Sequence, residues 1–174
     1  MKSCYGLPQC VIAVVLIGLA SCKEEPMAPD LHWDLSRSRS IDQIGWPANM
    51  TEDRLAQLSG GRRRVTVQLP SDQVFDAIVQ GVYAQKLGNE IDYLTFEYEK
   101  SSLHDSTRWA ADLIAQFGYE DTTLGEWKQE QLSRPNSLHS YQRSFSGNDN
   151  TIDIEIRNSF NDSRPWKLWF DLHF

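Results

Sequence analysis

Asp171 and His173 stand two residues apart, with Trp169 two residues before them, and a second pair of acids, Asp153 and Glu155, has the same spacing a short way upstream. A spacing of two puts side chains on one face of a strand. If the two segments pair, one imidazole and up to three carboxylates meet across a hairpin. Such a set could hold a divalent ion through oxygens and one nitrogen. It could pass protons between paired carboxylates, as Glu97 and Glu99 also could. It could equally make the cross-strand polar pairs that any wet strand face carries, which is the common state of such residues. That last reading is adopted, so no metal ligand, no cofactor and no catalytic residue is assigned.

The rest of the chain gives little reason to assign an enzyme. It contains no G-x-S-x-G elbow, no phosphate-binding loop, no H-E-x-x-H and no dinucleotide glycine fingerprint. The four histidines, His32, His104, His139 and His173, are scattered singly, and the three cysteines, Cys4, Cys10 and Cys22, all fall in the first 22 positions. A thiol nucleophile in the later residues is therefore excluded.

Those cysteines belong to a different kind of signal. Val11 to Leu19 is an apolar run that spans roughly 14 Å as a helix, too short to cross a bilayer core of about 30 Å. With Lys2 before it and small residues after it, the run reads as the core of a secretory signal peptide. The four residues that close it, Leu19-Ala20-Ser21-Cys22, resemble the lipobox of bacterial lipoprotein precursors. The resemblance covers residues 1–22 only. It implies cleavage before Cys22, acylation of that cysteine and a lipid anchor, and Lys23 in place of Asp implies the outer membrane, facing the periplasm. The expected organisation is a leader over 1–21, a lipidated cysteine and flexible tether over 22–40, and one globular domain over 41–174. Within the tether, Trp33 is expected to fold back onto the domain.

The chain carries 24 acidic and 17 basic side chains. Loss of the leader would remove Lys2 and no acid. A surface of this sign repels phosphate backbones, so no nucleic-acid partner is expected.

A coarse reading of periodicity supplies the elements that must position the candidate residues. Arg64 to Leu69 alternates as a strand. Arg62-Arg63-Arg64 ahead of it is read as a solvated entrance paired with carboxylates rather than an anion site. A short helix is expected between Ile41 and Ser59, starting near Thr51. Pro70 and Ser71 look like a helix start, and Val74, Phe75, Ile78, Val79, Val82 and Leu87 fall at helical spacing up to Gly88. Ile91 to Glu99 alternates as a strand. Ala110, Leu113, Ile114 and Phe117 mark a helix capped by Ser106 and closed by Gly118, with further helix over 122–132. Three strands follow, 138–145, 151–158 and 166–174, joined by short polar turns that favour antiparallel hairpins.

The expected order is thus β-α-β-α-β-β-β, an α+β domain with a mixed or mainly antiparallel sheet of about five strands, covered on one face by two or three helices. Ile152, Ile154, Ile156, Leu168, Phe170, Leu172 and Phe174 should face the helices. Asp153, Glu155, Trp169, Asp171 and His173 should face outward and form the surface that binds a partner. Small acidic lipoproteins of this size include immunity proteins that neutralise envelope-targeted toxins. The expected function is therefore a non-enzymatic lipoprotein that binds a protein through this face, with an outer-membrane assembly accessory as the alternative.

Overall fold

The computed structural model describes residues 27–50, 55–134, 140–147, 150–157 and 166–174. Cys22 and the leader lie outside the described residues, as does the expected cap of the 41–59 helix at Thr51.

The described chain forms one seven-stranded sheet with two helices on one face, so the α+β class stands. Strands β1 (Leu31–Asp34), β2 (Ala56–Gln68), β3 (Val74–Leu87) and β4 (Glu90–Lys100) come first. Helices α1 (Leu103–Gln116) and α2 (Thr123–Ser133) follow, then β5 (Tyr141–Gly147), β6 (Asn150–Arg157) and β7 (Trp166–His173). The spatial order is β1-β2-β3-β4-β7-β6-β5. Only β1 and β2 pair in parallel; all other neighbours are antiparallel. The two helices carry the chain from the middle of the sheet to its far edge. The last strand returns to fill the gap beside β4.

Several expectations need correction. The segment read as a helix over Ser71 to Leu87 is β3, the longest strand. Pro70-Ser71-Asp72 builds a hairpin turn rather than a helix start. Leu69 accepts from the Asp72 N–H and donates to Gln73, while Asp72 sits at φ 60 in the left-handed region, which a short polar residue tolerates. The buried side chains of β3 are Phe75 and Val79, then Val82 and Ala84. Their alternation changes phase across Gln80-Gly81, opposite irregularities in β2, and that phase change imitates a helical period. Val74 and Ile78, which complete the false stripe, are exposed.

The first strand, expected at 64–69, begins at Ala56 and runs through Gly60-Gly61, so the expected helix reduces to a 3-10 turn over Ile41–Ile44. The stretch assigned to the tether supplies β1, where Trp33 is buried together with Leu35. A four-residue parallel edge strand is too short to show a period. The sheet therefore has seven strands rather than five, in a different order.

Helix α1 is capped by Ser102, not Ser106. The Ser102 hydroxyl accepts from the Asp105 N–H at 3.1 Å and donates to the Asp105 carboxylate at 2.7 Å, an N-cap with an acid in the first turn. Gly118, at φ 76, ends the helix, with Gly118 N–H bonded to Ala115 and Tyr119 N–H to Ile114, the six-to-one pattern of a Schellman motif.

Between helices and sheet lies an aromatic core. Phe75, Phe96 and Phe170, contributed by β3, β4 and β7, stack with centroids 4.3 to 6.0 Å apart, and Phe117 reaches down from the end of α1 to Phe170 at 5.3 Å. Ile152, Ile154, Ile156, Leu168, Phe170 and Leu172 are all fully buried on this side, as expected from their alternation. That burial fixes the register of β6 and β7, because a slip of one residue would turn the whole set to water.

Candidate functional site: the open face of the sheet

With one set of alternate residues committed to the core, the opposite set on β4, β7 and β6 must share the other face. Register places Tyr93, His173 and Thr151 in one row across the strands, Thr95, Asp171 and Asp153 in the next, then Glu97, Trp169 and Glu155, and finally Glu99, Lys167 and Arg157. All five expected partner-binding residues, Asp153, Glu155, Trp169, Asp171 and His173, thus occur together on one surface. Sequence reading did not place Tyr83 or Gly81 there, because β3 reads as a helix. It also did not join the wet side of β4 to that of β7.

The face is organised by specific polar contacts. Lys167 donates to Glu97 at 2.9 Å and lies 3.7 Å from Glu99. The Tyr83 hydroxyl donates to the other oxygen of Glu97 at 3.1 Å. Glu97 is thereby held from two strands at once. Gly81 makes this possible: a Cβ there would stand 3.1 Å from the Tyr83 ring and 3.2 Å from the Glu97 carboxylate. The Glu97 carboxylate beside Lys167 raises the lysine's pKa, while desolvation and the bond to Glu97 raise that of the Tyr83 phenol. One row along, Arg157 pairs with Glu155 and places its guanidinium 5.5 Å from the centre of the Trp169 ring.

Asp153, Asp171 and His173 form the third group. His173 Nε2 is 2.9 Å from Asp153 Oδ2, and the Tyr93 ring packs 5.2 Å from the imidazole. Asp171 is bonded to the buried Thr95 hydroxyl, yet burial still raises its carboxyl above the usual range, with Asp153 and Glu155 adding to the rise. One ligand atom from each of the three residues can be chosen so that all lie within 4.8 Å of one another. These are the residues of the face whose donor atoms could share a metal ion.

Charge on this face is unbalanced. Glu97, Glu99, Asp153, Glu155 and Asp171 oppose Lys167 and Arg157, and both cations are already engaged by carboxylates. Of the triple arginine, Arg62 lines a shallow pocket together with Glu99 and Lys100. Arg64 pairs with Asp76 at 2.5 Å on the strands nearer β1, and Arg63 donates to the Gly60 carbonyl at 2.9 Å.

Among the described residues no helix is long and apolar enough to cross a membrane. Comparison with family models, curated proteins and solved structures finds no match for the chain.

Proposed function

We propose that this protein is a non-enzymatic, lipid-anchored component of the bacterial envelope that docks a protein partner on the open face of its sheet. The observation that carries the reading is the face itself: five carboxylates on three adjacent strands, with Lys167 and Arg157 among them already paired. Such a surface attracts a basic patch, accelerates encounter and rejects acidic partners. Trp169 sits in the middle of it, held by Arg157 between Glu97 and Glu155, where a partner could desolvate a large ring at little entropic cost. An immunity or inhibitor role against an envelope-targeted toxin fits this design, since an acidic plug suits an active site made for an anionic substrate.

Tagged full-length chain, purified with its captured partner, tests the reading. Trp169→Ala combined with Glu99→Lys should weaken that complex at least about ten-fold, and raised salt should slow its formation. A partner that binds the double variant as tightly as the parent removes this face as the docking surface.

A further inference from the structure

We propose that the gap where β3 and β4 part is a binding site for the C-terminal carboxylate of an extended peptide, taken by Arg62, Lys100 and the Tyr98 hydroxyl. The site starts from a break in the sheet. Pairing of β3 with β4 stops at Gly81 opposite Glu97, although β3 reaches back to Val74 and β4 runs on to Lys100. Past that point β3 keeps its pairs with β2, and β4 keeps its pairs with β7. The two strands therefore fork. A cavity of about 420 Å³ lies in the fork, lined by Ile78 and Gln80 on β3, Tyr98, Glu99 and Lys100 on β4, and Arg62 on β2. Main-chain groups along residues 78–80 and 98–100 face it without a ladder partner, the arrangement that an added extended segment completes.

Tyr98 gives the second, independent observation. It is 2 % exposed, and its hydroxyl has no hydrogen-bond partner among the described residues. The Trp109 ring packs 4.2 Å from the Tyr98 ring, but an indole N–H can only donate, so the phenol proton is left without an acceptor. Burial pushes this phenol well above its usual pKa, which keeps the proton in place. A buried donor in this state is costly until an acceptor reaches it. The hydroxyl is covered from solvent, so an incoming carboxylate meets it as a side chain of the rim moves aside.

The charges at the rim select the acceptor. Among the described residues, the ion pairs include neither Arg62 nor Lys100. Two cations against Glu99 leave one net positive charge, which suits a single carboxylate better than a phosphate dianion. Ile78, 45 % exposed beside them, offers an apolar contact for the last side chain of the peptide. The volume is in the range of sites that take small ligands, enough for a chain end and too little for a folded domain.

The test titrates the full-length protein in detergent with acetyl-Ala-Ala-Val as the free acid, with its C-terminal amide and with isovalerate, following backbone amide signals by nuclear magnetic resonance. The acid should bind saturably and shift the signals of residues 98–100. The amide and isovalerate should each bind roughly ten-fold more weakly or worse, and so should the acid to Arg62→Gln and to Tyr98→Phe. Tyr98→Phe should be at least as stable in urea as the parent, because it removes a hydroxyl with no acceptor, and this separates lost binding from lost fold. Overturning results are an absence of saturable binding, equal binding of acid and amide, isovalerate bound as tightly as the tripeptide, or either variant binding as the parent does. Neither variant alters Trp169 or Glu99, so docking of a partner on the open face is scored separately.

Discussion

Asp153 and Asp171 oppose each other directly across β6 and β7, and burial holds the Asp171 carboxyl above its ordinary pKa despite the Thr95 hydroxyl and the nearby His173. The folded state therefore keeps the Asp171 proton to a higher pH than the unfolded chain does. Its ionisation penalty is absent below the unfolded value, near 3.8. The penalty grows as pH rises through the folded value and is complete above it. Asp171→Asn should melt at a higher temperature than the parent at pH 7, and the gap should close below about pH 4. A variant that gains nothing at neutral pH would show that the carboxylate is not strained in the fold.

Phe170 supplies the second test. Its ring touches Phe75, Phe96 and Phe117, which joins the sheet to α1. Phe170→Ala would leave a cavity bounded by three other rings that cannot all collapse into it, at a cost of about 3 to 5 kcal/mol. Against a typical domain stability of about 5 to 15 kcal/mol, this should lower the urea midpoint sharply. A loss under about 1 kcal/mol would mean the aromatic cluster is not the centre of the core.

The parts of the fold legible from sequence are those in which local pattern and tertiary burial agree. In β6 and β7, Ile152 to Ile156 and Leu168 to Leu172 alternate without interruption, so both the strand and its buried side can be read. In α1, Ala110, Leu113, Ile114 and Phe117 keep one face. β3 fails because two patterns overlap: the phase change at Gln80-Gly81 and the exposed Val74 and Ile78 together simulate a helix. The site divides in the same way. Asp153, Glu155, Trp169, Asp171 and His173 follow from alternation within one hairpin. Glu97 joins them through contacts with Tyr83 and with Lys167, the latter across 70 positions, that no local spacing encodes. Lys167 opposite an acidic strand face is a charge signal, but it needs the β4 and β7 pairing before it points anywhere.

The ends of α1 allow a test of its corrected boundaries. Ser102→Ala removes the side-chain acceptor of the Asp105 N–H and should cost about 1 kcal/mol. Ser106→Ala should cost less, since the Ser102 carbonyl it contacts keeps its bond from the Ser106 N–H. At the other end, nothing lies within 4 Å of a Cβ built on Gly118. Any loss in Gly118→Ala is therefore backbone strain at φ 76, about 1 to 2 kcal/mol. Chemical denaturation of the three variants ranks them, and an equal or greater loss at Ser106 would return the cap to that residue.

The anchor makes the last prediction, and it depends on one atom, the Cys22 sulfur. If the Leu19-Ala20-Ser21-Cys22 resemblance to a lipobox holds, the cysteine carries acyl chains whose burial contributes about 0.8 kcal/mol per CH₂ group. Two or more chains then fix the protein at the membrane irrespective of salt, whereas attachment through surface charge alone would weaken as salt rises. The acidic character of the chain makes charge-based attachment to anionic headgroups unfavourable in any case. In a bacterial host, the parent should sediment with membranes in high salt, with a mass that shows cleavage before Cys22 plus acyl groups. Cys22→Ser should remain uncleaved at that position and carry no lipid. A Cys22→Ser protein trimmed and membrane-bound as before would show that the chain is held by something other than this thiol.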